Sequence, residues 1–165
     1  MAWPLQRDCA IFYGNPDANG DGVPDRAWED ANLVTINPRW PMWLAWDIKV
    51  PVRSIRVHRK CSESLGRILD ALASHYVTTE QIEQAGLHLY GGAYNFRLMR
   101  GSTKLSMHSY GCAIDLDPAH NQLGKSWRAG MIPKEVVNAF EHEGWVWGGT
   151  WSRPDAQHFQ AARVA

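Results

Sequence analysis

Apolar residues in the second quarter of the chain recur with the period of an α-helix. Between Ser62 and Tyr76 they occupy positions i, i+3, i+4 and i+7, which predicts an amphipathic helix over 62–76. These positions are Leu65, Ile68, Leu69 and Leu72. The helix therefore presents one apolar stripe to a core.

Helix boundary signals mark three further segments. Thr78 and Gln81 have the spacing of a capping box, and Gly86 is a plausible stop for the helix that follows it. Pro133 predicts the start of a helix that Gly144 closes. Apolar residues of that helix are Val136, Val137 and Phe140. Earlier, Pro24 predicts a short helix running through Trp28 and Leu33.

Short segments of strand character follow the central helices. They are 87–90, 113–116, 145–147 and 158–160. Residues 37–60 mix prolines and tryptophans and indicate extended or irregular segments. Helices followed by short strands with one inserted helix predict an α+β domain with a small antiparallel sheet. At 165 residues, we expect one domain over 1–165 without a separate wall-binding domain.

Composition excludes several classes of partner. Lys+Arg and Asp+Glu both number 17, so the net charge is zero and no basic excess indicates nucleic acid. No segment has the roughly 20 apolar residues of a membrane span. We expect a monomer that neither binds nucleic acid nor inserts into a membrane. The residues from Met1 to Asp8 lack the apolar region of a signal peptide, so we expect synthesis in a cytoplasm.

Three cysteines are widely spaced and form no CxxC pair. They are Cys9, Cys61 and Cys112. We expect free buried thiols rather than a Cys9–Cys61 disulfide.

Two segments carry residues that could hold a catalytic metal ion. A catalytic zinc site needs three nitrogen or oxygen ligands, an open position for water and a nearby acid/base group. His108 and Asp115 lie seven residues apart around Gly111, and Asp155 precedes His158 by three. Residue types and spacing alone do not distinguish this set from unrelated side chains.

The remaining histidines are interpreted as ordinary surface or core residues. They are His58, His75, His88, His120 and His142.

The segment from Ser106 to Asp115 reads Ser-x-His-x-x-Gly-x-Ala-x-Asp and resembles the motif of the M15 metallopeptidases. Residues 143–151 and 155–159 resemble the C-terminal signature of that family, and residues 91–101 resemble a segment of its endolysin-like branch. The resemblance covers 87–160. It implies a hedgehog/DD-peptidase-like fold and one catalytic Zn²⁺.

The resemblance also implies the role of each residue. The zinc ligands would be His108, Asp115 and His158, with Asp155 as general base and acid. An arginine before the first ligand would hold the substrate, with Arg97 preferred over Arg100. Asp117 is a rival to Asp115, since residues two apart on a strand face the same way. The motif favours Asp115 and leaves Asp117 as a supporting or surface residue.

Three other residues are candidates for supporting the histidines or contacting substrate. They are Ser106, Tyr110 and Trp147. Trp145 and Trp151 are further candidates for substrate contact, although core packing is the alternative for each tryptophan.

Within the family, residues 91–101 favour a phage-type endolysin that cleaves the L-Ala–D-Glu bond of the peptidoglycan stem peptide. It would be made in the host cytoplasm and act on the cell wall after release. The absence of a wall-binding repeat fits a thin, Gram-negative wall. One alternative is a D-alanyl-D-alanine carboxypeptidase or dipeptidase. Another is a zinc-structured binding module without turnover.

Residues 17–25 resemble the first half of an EF-hand loop. Its candidate calcium ligands are Asp17, Asn19, Asp21 and Asp25. The twelfth position is Trp28 instead of the bidentate glutamate, with Glu29 one residue late. The alternative is a polar turn without an ion.

Overall fold

Groups of helices are separated by groups of strands in the computed structural model, which describes residues 2–164. Met1 and Ala165, the two ends of the predicted 1–165 domain, lie outside the described residues. The helices are α1 (Cys9–Phe12), α2 (Arg26–Asn32), α3 (Arg59–His75), α4 (Thr79–Gln84) and α5 (Lys134–His142). The strands are β1 (Leu33–Ile36), β2 (Trp43–Leu44), β3 (Asp47–Pro51), β4 (Ile55–His58), β5 (Leu89–Gly92), β6 (Ala113–Leu116), β7 (Val146–Trp147) and β8 (His158–Gln160).

Six of these strands form one sheet in the order β3-β2-β5-β6-β8-β7, while β1 and β4 pair separately. The chain is therefore mixed α/β, and the larger sheet is mixed as well. The pair β2–β5 is parallel and its other pairs are antiparallel, which corrects the prediction of an antiparallel sheet. The cause is the crossover through β4, α3 and α4, which returns the chain in the same direction.

Helix α3 supplies the centre of the core. Its four predicted apolar positions, Leu65, Ile68, Leu69 and Leu72, are all at most 1% exposed. Full burial of such a side chain stabilises a fold by about 1.5–3 kcal/mol. The helix packs against β1, β4 and α5. The periodicity prediction is confirmed, with the start displaced from 62 to Arg59.

Other boundaries agree with the sequence to different extents. The capping box of Thr78 and Gln81 is present at α4, and β6 and β8 have the predicted bounds. Strand β1 was not predicted, because α2 passes directly into it without a Gly or Pro between them. The helix expected through Leu33 therefore ends one residue earlier.

The two ends of the described chain hold each other. Leu5 and Arg163 form a parallel bridge, flanked by Gln6 N–H to Arg163 O at 2.8 Å and Arg163 N–H to Pro4 O at 2.7 Å. The Trp3 indole N–H donates to the Glu143 carbonyl at 2.9 Å. Residues 3–6 are thereby fixed beside the C-terminal end of β8.

The described residues bear on two expectations, one about membrane spans and one about the cysteines. Within 2–164, no helix is long and apolar enough to cross a membrane. The three cysteine thiols are buried and free, as predicted.

His58 is a buried core histidine that also caps α3. Its Nε2–H donates to the Tyr13 carbonyl at 2.8 Å, and its Nδ1 accepts the Lys60 N–H at 3.1 Å. Both bonds are satisfied only by the neutral ring, because a protonated Nδ1 could not accept. Burial lowers the pKa of His58 from 6.5 to about 4.

We predict that His58 makes folding sensitive to mild acid. The unfolded chain protonates this residue below pH 6.5, whereas the folded chain does so only near pH 4. The stability is therefore complete above pH 6.5 and lost as the pH falls towards 4, by on the order of 3 kcal/mol. Urea unfolding across this range, with chelator present, measures the loss. His58→Asn keeps a capping acceptor without titrating, and its stability should fall less; equal losses in both proteins would contradict the prediction.

Candidate metal centre and cleft

Three side chains from two distant parts of the chain meet at one point. Each of His108, Asp115 and His158 offers a ligand atom, and these atoms all lie within 4.8 Å of one another. Asp115 Oδ1 lies 3.3 Å from His108 Nε2 and 3.0 Å from His158 Nδ1. The structure thus brings together the three residues that the motif implies as ligands.

A tight turn positions His108. Residues Met107–Tyr110 form one 3-10 turn that ends at Gly111, whose φ is +70°. A Cβ at Gly111 would lie 2.8 Å from the backbone nitrogen of His58 and 2.8 Å from the Leu33 side chain. Glycine is therefore required both by the left-handed conformation and by the lack of space. This reversal sends the chain directly into β6 and towards Asp115.

Strand pairing positions the other two side chains. Asp115 of β6 lies directly opposite His158 of β8 in the antiparallel register, so both side chains project from the same face. On the other side of β6, a Cβ at Gly91 would lie 2.9 Å from the Asp115 Cβ. The absence of a side chain there leaves room for Asp115.

The second nitrogen of each histidine is also bonded. His108 Nδ1–H donates to the Ala93 carbonyl at 2.7 Å, and His158 Nε2–H donates to Gln160 Oε1 at 2.9 Å. These bonds leave His108 Nε2 and His158 Nδ1 facing Asp115. Sequence reasoning missed both partners. The Ala93 carbonyl could not be identified from residue types, because every residue has a backbone carbonyl. Gln160 could have been, because it lies two residues after His158 on the same strand and therefore on the same face.

The charges of the cluster favour an ionised carboxylate. Burial alone would raise the pKa of Asp115, but the adjacent His108 and His158 outweigh it and hold that pKa well below its ordinary value. Burial lowers the pKa of His158, and the bond to Asp115 more than reverses this, so the net direction is upward. Asp115 therefore presents a negative charge to any cation bound between the histidines.

Asp155 lies in the cleft beside this cluster. Its carboxylate lines the same cavity as His108 and His158, and its Oδ1 is buried without a hydrogen-bond partner among the described residues. Burial raises the pKa of Asp155, the nearby Asp115 raises it further, and the two histidines oppose both effects. The net direction is upward, and a raised pKa helps a carboxyl group to accept a proton as well as release it.

Both candidate arginines line the cleft. Arg97 and Arg100 each border the cavity that contains Asp155 and the adjoining cavity that contains Asp115. Two hydrogen bonds tie the backbone of Arg97 to the ligand turn, the turn over 106–110 that carries His108. The Ser106 N–H donates to the Arg97 carbonyl at 2.9 Å, and the Ser109 hydroxyl donates to the same carbonyl at 2.7 Å. Ser109 was not predicted, and nothing in its sequence position indicates this role.

The other predicted candidates divide between cleft and core. Ser106 is buried but borders the cleft, and Trp151 borders it with its ring 5.5 Å from that of His158. In contrast, Tyr110, Trp145 and Trp147 belong to the hydrophobic core. Among the described residues, Trp151 is therefore the one predicted aromatic candidate that can contact a substrate in the cleft.

Asp117 does not join the cluster, in keeping with the motif's preference for Asp115. Strand β6 ends at Leu116, and Asp117 adopts a φ of +48° that turns its side chain away. Its carboxylate accepts from His120 Nδ1 at 2.7 Å and packs against Gly86. The same-face rule applies only while the chain remains a strand.

The acidic loop gathers Asp17, Asp21 and Asp25, which could also hold an ion. However, its carboxylates accept backbone N–H groups of the loop itself, including Gly22 N–H to Asp17 at 3.0 Å and Ala18 N–H to Asp25 at 3.0 Å. Asn19 likewise accepts from Asp21 N–H at 3.2 Å. Such bonds are those of the polar turn, and calcium binding stays a prediction.

The residues of the main cluster fit a zinc ion. Two imidazole nitrogens and one carboxylate oxygen are common ligands of catalytic zinc. His108 Nε2 is buried without a hydrogen-bond partner among the described residues, so its lone pair is available to a cation. The cluster also borders an open cleft, where a fourth position is accessible to water and substrate.

Comparison with known proteins supports this interpretation. Residues 100–161 match an M15 peptidase family model described as D-alanyl-D-alanine carboxypeptidase. The match supports a peptidase of the M15 type and includes Asp155 with all three clustered residues. Arg97 and the whole N-terminal part lie outside it. Neither the curated proteins nor the solved structures give a significant match.

We predict that Asp115 and its near neighbour Asp117 differ in their effect on zinc. Asp115→Asn removes the charged oxygen between the histidines, so zinc affinity should fall at least about 100-fold, more than for a typical outer hydrogen-bond partner. Asp117→Asn is the matched control and should bind one zinc per chain, as we expect of the unmodified protein. Competition with a chromophoric chelator measures both. Equal affinities in the two variants would remove Asp115 from the site.

Proposed function

We propose that this protein is a zinc-dependent peptidoglycan endopeptidase that cleaves the L-Ala–D-Glu bond of the stem peptide. The observation that carries the proposal is the convergence of His108, Asp115 and His158 beside the buried Asp155 carboxylate, in a segment that matches M15 peptidases. A purely structural ion would not need that carboxylate. This argues for turnover over a zinc-structured binding module.

The proposed chemistry is hydrolysis by an activated water molecule. Bound zinc would polarise the scissile carbonyl and make water acidic enough to react at neutral pH. Asp155 accepts the proton of the attacking water and returns it to the departing amine. Its raised pKa suits this cycle, since the group must release the proton as well as accept it.

Positive charge in the cleft would stabilise the substrate and its transition state. Arg97 borders both cavities, and its backbone is fixed to the ligand turn, so its guanidinium is the first candidate for the developing oxyanion. Arg100 borders both cavities as well and is the second candidate, for a substrate carboxylate.

The shape of the cleft favours an endopeptidase. Two cavities of about 300 and 780 Å³ adjoin at His108, one lined by Trp151 and Asp155 and the other by Trp46 and Asp115. Both volumes suit segments of a ligand. A substrate can therefore extend on both sides of the ligand set, as an internal peptide bond requires.

A D-alanyl-D-alanine carboxypeptidase is the second candidate, because the matching family model carries that description. The metal chemistry would be the same. The difference would lie in how the cleft accepts the chain end: a carboxypeptidase must hold a free terminal carboxylate, for which Arg97 and Arg100 are available.

The biological role we propose is that of a phage-type endolysin. Such an enzyme accumulates in the host cytoplasm and reaches the wall after the membrane has been breached. The resemblance of residues 91–101 to the endolysin-like branch supports this role. These residues form one wall of the larger cavity, so branch differences there would alter the substrate.

We predict that digestion of purified sacculi releases peptides with a new N-terminal D-Glu. Mass spectrometry with N-terminal labelling identifies the products, and chelation of zinc should abolish them. Release of free D-Ala without new D-Glu termini would instead assign the protein to the carboxypeptidases.

We predict that Asp155→Asn lowers the rate of wall hydrolysis by about 10²- to 10⁴-fold, the range for loss of a general acid/base. Zinc content should remain at one ion per chain, because Asp155 is not among the three converging ligands. Turbidity loss of sacculi and metal analysis measure the two effects. Equal lysis by both proteins would exclude Asp155 from the mechanism, and no lysis by either would favour a binding module.

A further inference from the structure

The edge of the His158 ring that faces away from Asp115 bonds to Gln160, which in turn bonds to Gln6 near the start of the chain. Gln160 is 1% exposed and accepts the His158 Nε2–H at 2.9 Å. Its amide nitrogen in turn donates to Gln6 Oε1 at 2.8 Å. We propose that Gln160 and Gln6 are positioning residues that hold His158 in its metal-binding form, and so set the zinc affinity of the site. The inference rests on the proposed zinc site.

The orientation of the Gln160 amide follows from a backbone group. Gln160 Nε2 also donates to the Ala162 carbonyl at 2.9 Å, and a carbonyl can only accept. The NH₂ end of the amide must therefore face Ala162, and the oxygen must face His158. An inverted amide would bring two acceptors together and two donors together.

A fixed amide oxygen fixes the histidine tautomer. Because Gln160 Oε1 can only accept, His158 Nε2 must carry a hydrogen. Nδ1 is therefore the nitrogen directed at Asp115, and a bound cation would take the place of the hydrogen that Nδ1 shares with Asp115 Oδ1 at 3.0 Å. The other nitrogen cannot serve as ligand without breaking a buried hydrogen bond. The ring is thus oriented before the metal binds, and little further ordering is required.

Gln6 extends this support to the N-terminal segment. Its backbone N–H donates to Arg163 O at 2.8 Å, in the pairing that joins the two ends of the chain. Its side chain also borders the cleft that contains Asp155. Gln6 lies far outside the matching family segment, 100–161, so this part of the site belongs to the chain's own N-terminal turn.

The central variant is Gln160→Met, which has a similar length but no acceptor. The His158 Nε2–H would be buried without a partner, and zinc affinity should fall about 10- to 100-fold. Gln160→Glu keeps an acceptor towards His158 but places its second oxygen against the Ala162 carbonyl, so it should recover only part of that affinity. Gln84→Met, on the exposed side of α4, is the matched control and should equal the unmodified protein.

Gln6→Ala tests the hydrogen bond between the Gln160 amide and Gln6. One of the two acceptors of the Gln160 amide is lost while Ala162 remains, so the expected loss of zinc affinity is smaller than for Gln160→Met. Gln6→Glu retains an acceptor and should behave as the unmodified protein does. Equal zinc affinity of Gln6→Ala and the unmodified protein would remove Gln6 from the proposal.

Zinc affinity is measured by competition with a chromophoric chelator, independently of hydrolysis. Nitrogen-15 NMR of the zinc-loaded protein should show a protonated Nε2 and a metal-bound Nδ1 for His158. This second measurement needs no variant, so it applies even if Gln160→Met does not fold. Coordination through Nε2, or equal affinity of a folded Gln160→Met and the control, would overturn the inference. Failure of the unmodified protein to bind zinc would instead overturn the proposed function.

Discussion

The antiparallel pairing of β6 with β8 is the constraint on which the rest of the site depends. It places Asp115 directly opposite His158, with 3.0 Å between the carboxylate oxygen and the imidazole nitrogen. A buried carboxylate is costly unless positive charge compensates it. Here two imidazoles surround the same oxygen, so the arrangement is ready for a cation shared among all three.

The surrounding structure serves to maintain that pairing. The turn before β6 delivers His108 to the same point, and this requires Gly111 in a left-handed conformation against the backbone of His58. Behind this turn, His58 is neutral and buried, with both nitrogens bonded. His58 caps helix α3. The helix therefore connects the hydrophobic core to the backbone of the turn that carries His108.

The cleft combines residues of different origin. The matched segment 100–161 contributes the three clustered residues and Asp155, while Arg97 and Gln6 come from outside it. These two are joined to the site by backbone hydrogen bonds, through the Ser106–Ser109 turn and through the paired chain ends. The family match thus covers the clustered residues and Asp155, while Gln6, which supports Gln160, lies in a segment that the match does not reach.

Local patterns in the sequence predicted the elements that are governed by local interactions. The apolar period of α3 and the capping box of α4 follow from contacts between residues near in sequence, and the bounds of β6 and β8 agree with the short segments of strand character. The parallel β2–β5 pair could not be predicted in this way, because it results from how the intervening chain crosses the sheet. Nor could β1, since no turn residue separates it from α2.

The candidate site likewise has features that the sequence predicted and features that required the tertiary structure. By itself, the sequence determined which residue types could bind a metal, because the motif preserves the spacing of His108, Asp115 and Asp155–His158. Only the tertiary structure decided that Asp117 turns away, that Trp147 and Tyr110 pack in the core, and that Gln160 supports His158. The physical reason is that a side chain's direction depends on backbone dihedrals and on neighbours distant in sequence. Spacing along the chain contains neither.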